Sequence, residues 1–267
     1  MPYFNVGDAQ LYYEDHGQGQ PIIFIHGVWM SSRFFKKQIP YFAERHRIIT
    51  VDMRGHGRSA KVHTGHTIAA YARDVHTLIQ GLALKDVILL GWSMGAFVVW
   101  DYVKQFGTEG LKATVIVEES ASDYKREDWP LGAFDFQELC EIMATVQTDR
   151  AAFVHELITA MFKDAPAEED RQWMFDEITR LPESIAGAIL FDQTVQDYRP
   201  VLPSVTVPSL LCFGRDEKLI PIAAAKHLEQ TLPDARLVFF EHSGHCPFLE
   251  ETDKFNQEVE AFIRSLS

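Results

Sequence analysis

Three consecutive pieces of the sequence decide its fold: Asp86 to Leu90 (DVILL), Gly91-Trp92-Ser93-Met94-Gly95, and Ala96 to Phe106 (AFVVWDYVKQF). The first is a short, unbroken apolar run, the pattern of a strand covered on both faces. The last has helical periodicity. Between them stands G-x-S-x-G. Glycines two before and two after the serine let strand and helix pack closely around a tight turn, which lifts the hydroxyl above the sheet edge. A helix beginning there offers unpaired N–H groups and the positive end of its dipole. The competing reading is a serine that merely caps the helix.

Outward from this turn the same rhythm repeats. Residues 3–6 and 10–14 read as a hairpin turning at Gly7-Asp8. Pro21–Ile25, Arg47–Val51, Ala113–Val117, Ser209–Phe213 and Arg236–Phe240 read as further strands. Helical patterns fall at Thr67–Leu82, Met94–Phe106, Ala223–Gln230 and Asp253–Ser265. Alternation of this kind predicts an α/β fold with a mostly parallel sheet and helices on both faces. Residues 123–199 break the rhythm: they carry helical periodicity, many large apolar residues and no strand pattern. They read as a helical cap inserted into a core made of residues 1–122 and 200–267, because the sheet pattern resumes directly afterwards.

At 267 residues with 46% hydrophobic content, the chain has ample material for a buried core. Its longest apolar stretch, Val87 to Trp100, is too short to span a bilayer, and the opening MPYFNVGDAQ predicts no secretion signal. With 25 basic and 38 acidic residues the formal net charge is −13, which disfavours nucleic acid and anionic membrane surfaces as partners. Segment 123–199 holds 17 acidic and 7 basic residues, so −10 of that charge belongs to the cap. Cys140, Cys212 and Cys246 are too few and too scattered for a disulfide framework or a zinc site, and they predict reduced thiols in a cytoplasm. Nothing in the sequence specifies an oligomeric state.

Several motifs in order resemble the α/β-hydrolase fold family, of the esterase, lactonase and cofactor-free haloperoxidase type. They are Ile25-His26-Gly27, Asp52-Met53-Arg54-Gly55-His56-Gly57-Arg58-Ser59, Gly91-Trp92-Ser93-Met94-Gly95, Gly214-Arg215-Asp216-Glu217 and Gly244-His245-Cys246-Pro247-Phe248. The resemblance covers essentially the whole chain. It implies an eight-stranded, mostly parallel sheet, no cofactor and no metal, with Ser93 as nucleophile. Members that cleave epoxides or carbon–halogen bonds carry Asp where Ser93 stands. The residue after the nucleophile, Met94, should give one oxyanion N–H. By resemblance Val28, after His-Gly, gives the other, and His26 is then a structural loop residue.

Ser93 needs a base. His245 follows the strand 236–240 on a loop at the carboxyl edge of the sheet, where Ser93 also sits, and the family places its histidine there. The Pro-Phe-x-Glu that follows, through Glu250, also matches. His242 is the fallback; His56, His63, His66 and His76 read as structural or surface histidines. The acid is ambiguous. The family pattern is G-x-x-D-x-x-x-P, and counting from Gly214 and back from Pro221 both give Glu217 instead of an aspartate. Asp216 and Glu118 remain alternatives.

Trp29, Trp129, Phe134 and Leu219, with Met30, Phe136 and Phe248 nearby, predict an apolar substrate pocket. An acidic cap would oppose anionic substrates. The function expected is hydrolysis of a neutral, small-molecule ester or lactone through an acyl-enzyme. The glutamate in the acid motif resembles some N-acyl homoserine lactone hydrolases. The same residues would serve a haloperoxidase or perhydrolase, and a hydrolase-fold receptor with little turnover is the non-enzyme alternative. Cys246, beside His245, is either a buried small residue or an exposed thiolate.

Overall fold

The computed structural model describes residues 3–266; residues 1, 2 and 267, the outermost of the expected core, lie outside the described residues. Eight strands form one sheet: β1 (Tyr3–Val6), β2 (Ala9–His16), β3 (Gln20–Ile25), β4 (His46–Val51), β5 (Val87–Trp92), β6 (Leu111–Val117), β7 (Ser209–Gly214) and β8 (Ala235–Phe240). Their order across the sheet is β1-β2-β4-β3-β5-β6-β7-β8. β2 runs antiparallel to β1 and β4, and every pairing from β4 to β8 is parallel. This is the expected α/β-hydrolase architecture. β5 and β7 are buried along their whole length, which is why both read as unbroken apolar runs, whereas edge strand β8 is only partly covered.

The helices are α1 (Gln38–Phe42), α2 (Ile68–Gly81), α3 (Met94–Phe106), α4 (Phe136–Thr148), α5 (Arg150–Ala160), α6 (Glu168–Ile178), α7 (Glu183–Val195), α8 (Ile222–Thr231), α9 (Pro247–Glu250) and α10 (Thr252–Ser265). α2, α3, α8 and α10 fall on the helical patterns of the sequence. Four helices, α4 to α7, lie between β6 and β7, and no strand of the sheet interrupts them. α4 opens with a capping box in which Asp135 and Glu138 each bind the other's backbone N–H.

Parallel strands end at a common edge. The loops after β3, β4, β5, β6, β7 and β8 therefore converge, and each carries residues singled out from the sequence. Beneath them, Phe34, Phe35, Trp92 and Phe248 form a buried aromatic cluster, with the Trp92 and Phe248 rings 4.9 Å apart edge to face. Phe248 thus belongs to the core and not, as its position beside His245 suggested, to a pocket wall.

Candidate active site

Ser93 sits at φ 52°, ψ −124°, a left-handed conformation that a non-glycine residue adopts only under constraint. The constraint is the close crossing of β5 and α3. A Cβ on Gly91 would run into the Gly95 carbonyl, and one on Gly95 into the Ile25 carbonyl. The Ser93 N–H is held by Val117 O at 2.9 Å. Ser93 occupies the N-cap position of α3, yet its hydroxyl makes no capping bond. The capping alternative therefore fails, and the hydroxyl is left to a cavity of about 380 Å³ that His245 also lines.

The loop after β3 lies against this turn: a Cβ on Gly27 would stand 3.3 Å from Ser93 Cβ. The N–H groups of Val28 and Met94, the expected oxyanion donors, have no partner among the hydrogen bonds of the described residues. The neighbouring Trp29 N–H is already committed, to His56 Nε2 at 3.2 Å. His26 Nε2 likewise accepts the Met53 N–H at 3.0 Å, while its Nδ1 lies 2.8 Å from the Gly27 carbonyl. A ring that accepts at one nitrogen and donates at the other is neutral. Burial agrees, pushing both imidazoles below their ordinary pKa. His26 and His56 are struts of the loops.

His245 Nδ1 lies 3.1 Å from Glu217 Oε2, with both side chains almost wholly buried. The other oxygen, Oε1, accepts the N–H groups of Leu219 and Ile220, the latter at 2.9 Å. Burial alone would raise the Glu217 pKa. The adjacent imidazole, its hydrogen bond and the two N–H donors outweigh it and hold the carboxyl below the usual range. Asp216 points away: its side chain is 42% exposed and pairs with Lys163 at 2.9 Å. His242 is also exposed and lies apart from the Ser93 cavity. Glu250, from the Pro-Phe-x-Glu stretch, accepts the Gly244 N–H at 2.9 Å and the Lys163 N–H at 2.8 Å. The His245 N–H reaches Met161 O at 2.8 Å. Cys246 is fully buried, and burial pushes its thiol well above the ordinary value, which excludes the exposed thiolate.

Glu118 is fully buried at the end of β6. One carboxyl oxygen accepts the Gly214 N–H and the other has no partner. Burial, then the charge of Glu217, raises its pKa well above the ordinary value, which favours its neutral form. Glu118, Glu217 and His245 each bring one ligand-type atom within 4.8 Å of the others. The Glu217–His245 hydrogen bond accounts for two of them, and the third, Glu118, accepts the Gly214 N–H.

Among the expected pocket residues, Trp29, Phe134 and Leu219 line the cavity. Trp129 does not. Its Nε1 donates to Ser122 O at 2.8 Å, and its ring packs against His227 and beneath Arg199. Phe136 is 64% exposed at the start of α4. Five polar lining residues were not expected from the sequence: Glu119, Asp123, Glu156, Gln193 and Lys218. Glu119 and Asp123 follow β6 in a stretch that carries no motif, and Gln193 lies 70 residues beyond the Asp123 it binds.

Comparison with known proteins identifies the family. A family model described as alpha/beta hydrolase fold matches residues 20–252. The AB hydrolase superfamily protein YisY of Bacillus subtilis (strain 168) is 30% identical over 260 residues, covering 96% of each chain. A non-heme haloperoxidase of Rhodococcus erythropolis is 30% identical over 282 residues, covering 99% of this chain and all of that one. Among solved structures, an esterase from Exiguobacterium antarcticum superposes with a TM-score of 0.92 at 27% identity, with 96% of each chain covered.

Proposed function

This chain belongs to the α/β-hydrolase fold family, and from that premise we propose a serine hydrolase of neutral carboxylic esters or lactones that works through an acyl-enzyme. The observation that carries the reading is the strained Ser93, whose hydroxyl caps nothing and shares a cavity with an imidazole oriented by Glu217. In the first half-reaction Ser93 Oγ attacks the carbonyl carbon and His245 Nε2 takes the hydroxyl proton. Glu217 holds Nδ1–H and stabilises the imidazolium. The N–H groups of Val28 and Met94 receive the oxyanion. The carbon–oxygen bond to the alcohol then breaks, and His245 returns the proton to the departing oxygen. In the second half-reaction water attacks the acyl carbon by the same route, giving the acid and free Ser93. Ser93 Oγ and the ring make no hydrogen bond among the described residues; catalytic hydrogen bonds commonly tighten once substrate is bound.

Residues 123–199 act in this reading as an acidic lid that disfavours carboxylate-bearing substrates. No helix among the described residues is long and apolar enough to cross a membrane. The buried Cys212 and Cys246 support a reducing, cytoplasmic setting. A second reading draws on the haloperoxidase relative: hydrogen peroxide replaces water in the second half-reaction and the product is a peracid. The test of both is one panel of esters and lactones of increasing chain length, with and without peroxide, assayed on wild type and Ser93→Ala. Ser93→Ala should lose on the order of 10⁵-fold or more in kcat while its thermal midpoint stays within a few degrees. An organophosphonate should label Ser93. Labelling at another serine, or activity surviving in the alanine variant, would refute the acyl-enzyme.

A further inference from the structure

The cavity above Ser93 is not the uniformly apolar chamber that the aromatic residues of the sequence suggested. Glu119, Asp123 and Gln193 form a polar wall on it, contributed by the segment after β6 and by α7. They are 0%, 1% and 4% exposed, respectively. Each keeps one oxygen without a hydrogen-bond partner: Glu119 Oε2, Asp123 Oδ1 and Gln193 Oε1. Their other polar atoms are fixed. Glu119 Oε1 accepts the Ser120 N–H at 2.7 Å, and Asp123 Oδ2 accepts Gln193 Nε2–H at 2.7 Å. The open oxygens are therefore held in place by the scaffold.

No lysine or arginine forms an ion pair with either carboxyl among the described residues. Lys218, at the cavity rim, gives its ammonium to the carbonyls of Phe162 and Lys163. Arg126 is spent on Ser122 Oγ and the Tyr124 and Val195 carbonyls. Burial raises both carboxyl pKa values, and a proton held between the two acids relieves part of their repulsion. Gln193 Oε1 still lacks a donor even then. Beyond the second Nε2 hydrogen of Gln193, for which no bond is found among the described residues, the wall offers only acceptors, an imbalance that is costly when buried and is relieved by a ligand that brings the missing hydrogens.

We propose that this wall is a polar subsite that binds an N–H or O–H donor carried by the substrate, so that the enzyme selects donor-bearing esters or lactones over their hydrocarbon counterparts. The proposal rests on the serine hydrolase reading and narrows its substrate class. The same oxygens repel a substrate carboxylate at close range, independently of the charge on the outer helices.

Matched methyl esters and lactones test it. In each pair one carbon position of the acyl or ring portion carries a hydroxyl, a secondary amide or an ammonium, or the isostere without a donor. Purified full-length wild type is compared with Asp123→Asn and Gln193→Leu, and Ser93→Ala is the blank. For wild type, kcat/KM at one position should favour the donor-bearing member by about 10- to 100-fold, the range of a hydrogen bond to a buried acceptor. That ratio should fall several-fold or more in both variants. Preference for ammonium over hydroxyl means that the acid pair is ionised; equal preference means that the wall acts as neutral acceptors. Both outcomes support the subsite. Ratios within twofold at every position in wild type overturn it even if neither variant folds, and so does a ratio that survives both substitutions. In those cases Ser93-dependent turnover leaves the hydrolase reading standing. Absence of turnover above the Ser93→Ala blank overturns both.

Discussion

Two buried polar clusters flank the loop edge of the sheet, and they are built in opposite ways. On the β3–β4 side the charged groups are saturated. Asp52 accepts the Ser32 N–H at 2.7 Å with one oxygen and the Arg58 N–H at 2.8 Å with the other. Arg54 grips Asp74 through two bonds, at 2.7 and 2.8 Å. His26 and His56 each hold one backbone N–H. On the β6–β7 side four carboxyls, Glu118, Glu119, Asp123 and Glu217, crowd together, and three of them retain an unpartnered oxygen. Glu217 alone is fully partnered, and its partner is His245. Both regions are equally dry. The saturated one stiffens loops; the unsaturated one holds protons and acceptors ready for something that arrives.

Breaking the second cluster at its one complete member should have the largest effect. Glu217→Gln keeps the size, removes the charge and can favour the wrong tautomer of His245. A loss of about 10³- to 10⁴-fold in kcat on a simple ester is expected, by analogy with the same change in serine proteases. A loss under tenfold would move the acid elsewhere. Breaking the first cluster should instead cost stability. Arg54→Met strands the buried Asp74 carboxylate and should lower unfolding free energy by about 3–5 kcal/mol in urea titrations. Activity per folded molecule should hold; if it falls in step with stability, the two regions are not separable.

Protons distinguish the clusters next. Burial favours the neutral form of Glu118 in the folded chain, whereas in the unfolded chain it ionises near its ordinary value of 4.5. Above that pH the folded state binds the extra proton, so stability falls as pH rises toward the folded pKa, by up to about 1.4 kcal/mol per pH unit. Glu118→Gln removes this term. Its thermal midpoint should therefore decline less than that of wild type between pH 5 and 8, and parallel curves would mean that Glu118 is ionised in the fold. The smallest effect belongs to Asp216→Asn. Its carboxylate is partly exposed and paired with Lys163, so kcat should change by less than about tenfold.

The sequence carried the scaffold further than the walls. G-x-S-x-G and the apolar runs locate β5 and α3 to within two residues because their signals are local: glycine at a close crossing, apolar faces at a fixed period. The acid loop was legible for a similar reason, since two fixed points, Gly214 and Pro221, agree on Glu217, the carboxylate that lies beside His245. What escaped was direction. An aromatic residue in 123–199 reads alike whether it faces the cavity, as Phe134 does, the core, as Trp129 does, or solvent, as Phe136 does. The acceptor wall was hidden more deeply, because Asp123 and Gln193 meet only once α7 has folded back over the sheet.

The loop that carries His245 is stitched to residues 161–163: the His245 N–H binds Met161 O, and Glu250 bridges the Gly244 and Lys163 N–H groups. Lys218 adds a fourth stitch to the Phe162 carbonyl at 2.6 Å. A hinge cannot lie on a seam that holds His245 in register. If the helices part to let a molecule in, the turn joining α5 and α6 has to stay put as the jamb. α7 is pinned as well, because Trp29 Nε1–H binds Ala186 O, the Ile68 N–H binds Asp192 and Gln193 binds Asp123, so the swing falls to α4. An open molecule would then keep both His245 and the acceptor wall in place, and would be as selective while it admits a ligand as after it closes.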